Sequence, residues 1–229
     1  MNKTAFTLED RECILYNCDN ARYLLLQPVD EHDIEVLDKQ VDYIVNEVGE
    51  SFALVAFRIK AWNDELSPWE AAPVFGKESF GGGAGKLLSF VEQSLIKDAL
   101  TRCELSGDIP VIIGGYSLAA LFALWCGYET DSFTGVAAAS PSVWFPDWID
   151  YAKEHGIKAE SVYLSLGDKE EKTRNKVMAR VGDCIREQQA ILNECDIAKV
   201  TLEWNDGNHF RDSDIRTGRA FSWCIQSLA

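Results

Sequence analysis

The sequence predicts an α/β architecture: a mostly parallel central sheet, helices on both of its faces, and an antiparallel N-terminal edge. Three observations carry this. Apolar runs of strand length recur along the chain, most of them are separated by segments of helical period, and the first two are separated by only a few residues. With 229 residues and no repeat, low-complexity tract or linker, residues 1–229 are read as a single domain.

The strand-like runs are residues 13–16, 22–27, 52–59, 110–116, 135–140, 161–166 and 200–204. Only a short polar stretch with Cys18, Asp19 and Asn20 parts the first two, which suits a hairpin. Ile34, Leu37, Val41, Ile44, Val45 and Val48 form a 3.6-period stripe, hence an amphipathic helix before the third run. Leu87, Leu88, Val91, Leu95 and Ile96 mark a second helix, opening after the Gly81-Gly82-Gly83 turn. Residues 118–125 are apolar nearly all round, so the third helix is buried. Longer helices are expected over residues 173–194 and 214–228. Between Ile59 and Lys86 the periodicity lapses, and Trp62, Trp69, Phe75 and Phe80 stand among polar residues. So long a connection is usually a functional loop or an Ω-loop packed on its own aromatics, and both descriptions can hold.

Composition excludes several classes of function. Hydrophobic residues are 47% and charged residues 26%, an ordinary globular balance. Lys plus Arg number 22 against 37 Asp plus Glu, a net charge of −15, which disfavours nucleic acids and anionic membrane surfaces as partners. The seven cysteines are odd in number, scattered, and without zinc-ligand spacing, so a reducing compartment without structural disulfides is expected. Acidic residues from Glu9 onward interrupt any apolar leader, and no run is long enough to span a bilayer. A cytoplasmic location follows as the expectation.

The chemistry concentrates after the fourth run. Residues 110–120 read as a buried strand, a sharp turn at Gly115-Tyr116-Ser117-Leu118-Ala119, and a buried helix. This is the nucleophile-elbow pattern: small residues flank a serine whose backbone is strained and whose hydroxyl is lifted to the carboxyl end of the sheet. Ala119 replaces the usual last glycine and is still small. A serine capping the helix is the plainer alternative. The N–H of Leu118 would face a developing oxyanion.

A serine nucleophile needs a base. His32 sits among acidic residues at a helix start and His155 at a helix end before Gly156, whereas His209 lies in Asn205-Asp206-Gly207-Asn208-His209-Phe210, between the last strand and the last helix. His209 is therefore the candidate base, and the acid should follow the preceding strand. There Gly167-Asp168-Lys169-Glu170-Glu171 offers three carboxylates, among which spacing does not choose. Gly81-Gly82-Gly83-Ala84-Gly85-Lys86 is no P-loop, because the glycine spacing is wrong and Leu87 stands where a hydroxyl is required.

Taken together, Gly115 to Ala119, Ala139-Ser140-Pro141-Ser142-Val143-Trp144, Gly167-Asp168-Lys169-Glu170 and Gly207-Asn208-His209-Phe210 resemble the esterase branch of the α/β-hydrolase superfamily, the group with enterobactin (enterochelin) and feruloyl esterases. The resemblance spans Phe52 to the C-terminus. It implies an α/β-hydrolase fold and a serine esterase of small-molecule esters that needs no metal or cofactor. It puts Ser117 as nucleophile, His209 as base and Glu170 as acid, with Asp168 the second choice. It also implies a pocket lined by Ser140 to Trp144, and a second oxyanion amide near Lys60 to Trp62. The chain's short N-terminal region, without a leader or an added β-sandwich, speaks against a siderophore substrate.

Tyr116 and Lys60 join Leu118, Trp62 and Trp144 as expected substrate-binding residues. Trp62, Trp69, Trp144 and Trp148 are expected to rim one sheet end as aromatic walls, against the plainer role of core packing. Arg58 and Lys60 could hold a substrate anion or form surface ion pairs, the latter being the commoner role. The same residues would also serve an acyltransferase, and a non-catalytic binding protein of this fold is the third alternative.

Overall fold

The computed structural model describes residues 1–74, 76–195 and 199–229; Phe75, one of the loop aromatics, lies outside the described residues. The strands are β1 (Asn2–Leu8), β2 (Arg11–Asn17), β3 (Tyr23–Val29), β4 (Phe52–Arg58), β5 (Glu70–Ala71), β6 (Phe80–Gly81), β7 (Val111–Tyr116), β8 (Gly135–Ala139), β9 (Ser161–Gly167) and β10 (Lys199–Asn205). The helices are α1 (Glu31–Val48), α2 (Trp62–Glu65), α3 (Ala84–Phe90), α4 (Ile96–Arg102), α5 (Leu118–Glu129), α6 (Trp148–Glu154), α7 (Val181–Glu194) and α8 (Ser213–Leu228). A π-helical turn, Val91–Leu95, joins α3 to α4.

Eight strands form one sheet in the order β1-β2-β4-β3-β7-β8-β9-β10, and β5 and β6 pair separately. From β4 to β10 the neighbours are parallel, while β1–β2 and β2–β4 are antiparallel. The antiparallel edge is thus present, but its hairpin is not the expected one. The runs at 13–16 and 22–27 do not pair with each other: β2 pairs with β4, and β3 lies between β4 and β7. Burial explains the difference. Every residue of β3 is buried, as a central parallel strand requires, whereas a hairpin partner at the edge would alternate. The true hairpin joins β1 to β2 through Glu9, which adopts φ 53°.

Alternation along the central strands divides the core into two layers. Leu24, Leu26, Ala53, Val55 and Phe57 face α3 to α7, while Leu25, Leu54 and Ala56 face α1 and α8. α5, apolar on all sides, is buried along nearly its whole length. The helix expected from residue 173 begins only at Val181; before it run the 3₁₀ turns Glu170–Lys172 and Met178–Arg180. Among the described residues no helix is long and apolar enough to cross a membrane. All seven cysteines are free, and burial pushes the Cys13 and Cys103 thiols up to about 11, so they are poor nucleophiles at neutral pH.

Packing under the elbow is tight. A Cβ on Gly114 would lie 2.6 Å from Ala137 Cβ and 2.8 Å from Phe221 Cζ, wedged between sheet and α8. Gly114→Ala is therefore expected to destabilise the fold by about 1–3 kcal/mol through overpacking, seen as a lower urea midpoint at unchanged slope.

Candidate active site

β7 ends and α5 begins at Ser117, whose φ of 58° and ψ of −119° fall outside the regions L residues normally adopt. The close approach of strand and helix makes the turn possible. A Cβ on Gly115 would sit 2.8 Å from Ala119 Cβ, so the space that Ala119 needs is the space Gly115 vacates. That is why alanine fits at position 119.

Three loops at the carboxyl ends of β7, β9 and β10 converge here. His209 Nε2 is 2.9 Å from Ser117 Oγ, and His209 Nδ1 is 2.7 Å from Glu170 Oε2. A carboxylate can only accept, so Nδ1 carries the proton and Nε2 is left to accept from the serine hydroxyl. Of the three acidic candidates, Glu170 alone touches the imidazole. Asp168 instead accepts the Gly207 N–H at 2.7 Å, and that bond holds its carboxyl below the usual range while tying the β9 loop to the histidine loop. Glu171 pairs with Arg186 at the surface. His32 is exposed on the first turn of α1, and His155 stacks on Tyr151.

Glu170 is itself held from its other oxygen. Oε1 accepts from the Gly167 N–H at 2.8 Å, the Ser140 hydroxyl at 2.8 Å and Arg216 Nη1 at 3.1 Å. Arg216, from α8, is 2% exposed and also donates to the Tyr116 hydroxyl and the Asp206 carbonyl. Sequence reasoning missed this residue. Its signal was a charge on the apolar stripe of the last helix, one turn before Ala220 and two before Cys224.

A cavity of about 780 Å³ opens over Ser117 and His209. Trp62, Leu118, Ser140, Pro141, Ser142 and Trp144 line it as expected, and Ser142 Oγ lies 3.4 Å from Ser117 Oγ. Asn63, Phe80, Lys169, Lys172, Met178, Asn208 and Phe210 line it without having been singled out for that role. Two expected substrate contacts are corrected. Tyr116 does not line the cavity: its hydroxyl donates to the His209 carbonyl at 2.8 Å, so it steadies the histidine loop from beneath. Lys60 points away, its ammonium paired with Asp10.

The Lys60 amide is also spent, since Glu65 Oε1 accepts both the Lys60 and Ala61 N–H groups at 2.8 Å. Trp62 and Asn63 line the cavity, and a helix start leaves their first-turn amides without intrahelical acceptors. Arg58 pairs with Glu12 and Glu31. Trp69 and Trp148 are packing residues: Trp69 bonds the Pro146 carbonyl and lies against Phe145, and Trp148 is fully buried on Gln188. Only Trp62 and Trp144 of the four are walls.

A mostly parallel sheet of this order, with a strained serine between β7 and α5 and loops converging from β9 and β10, is the α/β-hydrolase fold. The chain is similar in backbone to an IroE-like serine hydrolase from Shewanella oneidensis (TM-score 0.76, 14% identity, 100% of this chain and 81% of that one). It is similar also to the siderophore hydrolase EstA from Aspergillus nidulans (TM-score 0.76, 18% identity, 99% and 94%). The enterobactin esterase Fes from Shigella flexneri matches with TM-score 0.68 and 14% identity over 99% of this chain, which spans 59% of that one. No family model and no curated protein matches by sequence.

Proposed function

We propose that residues 1–229 form one esterase domain, a serine hydrolase that cleaves carboxylic esters through an acyl-enzyme. The observation that carries the reading is the unbroken chain Ser117 Oγ, His209, Glu170 at the floor of the cavity, with bonds of 2.9 and 2.7 Å. Ser117 attacks the ester carbonyl as His209 Nε2 takes its proton, and Glu170 fixes the tautomer and offsets the charge of the imidazolium. The tetrahedral oxyanion is received by the Leu118 N–H and a first-turn amide of α2. His209 returns the proton to the departing alcohol, and water, activated by the same imidazole, releases the acid. The similarity to proteins described as serine hydrolases and esterases supports the same reaction type.

The test is hydrolysis of short-chain p-nitrophenyl esters beside labelling with a fluorophosphonate. Turnover is expected, together with one covalent adduct that peptide mapping assigns to Ser117. A wild-type chain that neither labels nor turns over any ester would leave a non-catalytic binding protein as the better reading.

A further inference from the structure

The lip of the cavity is cationic in a strongly acidic protein. Residues 169–180 carry Lys169, Lys172, Arg174, Lys176 and Arg180 against only Glu170 and Glu171, while the whole chain has 22 cations and 37 carboxylates. Both acids are already engaged, Glu170 by His209 and Arg216 and Glu171 by Arg186. The five cations are exposed, and among the described residues none of them forms an ion pair. Arg58, Lys60, Arg102 and Lys153 have carboxylate partners, and Arg22, Lys39, Lys77, Lys86 and Lys97 have none among the described residues but are scattered along the chain; what sets residues 169–180 apart is five such cations in one segment beside the cavity. Lys169 and Lys172 line the cavity, where among the described residues the only carboxylate is the Arg216-bound Glu170; Asp168, beside Lys169, is turned to the Gly207 amide.

Resting on the esterase reading above, we propose that the substrate is an ester whose alcohol portion bears an anionic group, a carboxylate or a phosphate, received by Lys169 and Lys172. A net charge of −15 would repel such a molecule, and a local positive lip reverses the field at the point of entry. Most of the remaining lining surface is apolar, with Trp62, Phe80, Trp144 and Met178 beside the polar Asn63, Ser142, Thr173 and Asn208, so the body of the substrate is mainly apolar and its charge is at the rim. The side is set by proton transfer. His209 must protonate the departing oxygen, so the alcohol lies toward the histidine loop. Lys169 belongs to that side, since its amide donates to the Gly207 carbonyl at 3.1 Å. The oxyanion amides of α2 and α5 lie on other elements.

The experiment compares matched esters as ratios of kcat/KM, each normalised to its rate of alkaline hydrolysis. The alcohol-side pairs are 4-acetoxybenzoate against 4-acetoxybenzamide, and 4-acetoxyphenyl phosphate against 4-methoxyphenyl acetate. The acyl-side pair is 4-nitrophenyl monoadipate against 4-nitrophenyl hexanoate. At least one anionic alcohol is expected to be favoured about five- to tenfold, mainly through KM, and which pair shows it separates carboxylate from phosphate. The ratio should fall to near unity in Lys169→Ala/Lys172→Ala and in about 0.5 M NaCl, where surface charge is screened. Because each ratio is internal, a general loss of activity cancels. Parity in the wild type, a preference that survives the double substitution, or a preference on the acyl pair alone would overturn the proposal. Failure of the esterase reading looks different: none of the six esters turns over and Ser117 takes no fluorophosphonate.

Discussion

Ser117→Ala is expected to lower ester turnover by about 10⁴-fold or more while leaving the free energy of unfolding within about 0.5 kcal/mol of wild type. The two halves of this result have different causes. Turnover goes because the covalent step has no other nucleophile: Ser142 Oγ, 3.4 Å away, has no hydrogen bond to the imidazole. Stability stays because the site is only partly buried and His209 Nε2, once unpaired, can be met by water. His209→Ala should match the loss, and the double variant should be hardly worse than either, since a nucleophile and its base act as one unit. Ser117→Gly is a useful companion. It should be as inactive as the alanine variant yet more stable by about 1 kcal/mol, because glycine adopts a φ of 58° without strain. Steady-state kinetics with an aryl ester and urea titration of the four proteins decide the matter. Ser117→Ala turning over within tenfold of wild type would place the nucleophile elsewhere.

The elbow could be read in sequence because its geometry admits few residues. Gly114 and Gly115 stand where a Cβ would meet Ala137, Phe221 or Ala119 in the first turn of α5, so local composition reports the fold directly. β1 left no such trace. It is an edge strand with most residues exposed, and only Phe6 and Leu8, partly buried, pack against the core. The mistaken hairpin has a related cause, because turn-like residues between two runs show that the chain bends and not which strand it then meets. Nothing in the spacing of residues 173–180 forbids the helix expected there, yet α7 begins only at Val181, after the two 3₁₀ turns, the first of which turns Glu170 inward to His209 and Arg216. The loop proposed to supply the second oxyanion amide was legible only as a region. That Glu65 would occupy the Lys60 and Ala61 amides, leaving those of Trp62 and Asn63, depends on a side-chain bond no periodicity encodes.

Arg216→Met carries the largest expected effect on stability, about 3–5 kcal/mol, because it leaves Glu170 as a buried anion without its cation. Arg216 and Glu170 have side chains only 3% and 4% exposed and meet at 3.1 Å, so water cannot replace the lost partner. The guanidinium also joins elements distant in sequence, giving one hydrogen bond to Tyr116 below the elbow and one to the Asp206 carbonyl before the histidine loop. Its removal therefore loosens both the acid and the base. A drop in kcat of about 10- to 100-fold with KM little changed is expected, the mark of a residue that positions the machinery and does not touch substrate. Arg216→Lys should recover part of the stability and less of the rate, since an ammonium cannot span Glu170, Tyr116 and Asp206 with one planar fork. The decisive comparison is a double-mutant cycle with Glu170→Gln. If the buried charge pair is the cause, Arg216→Met should cost at least about 2 kcal/mol less in the Glu170→Gln background than in wild type, because no anion is then left alone. Additive losses in urea unfolding would mean that Arg216 acts through packing and through Tyr116, and that Glu170 keeps its place without it.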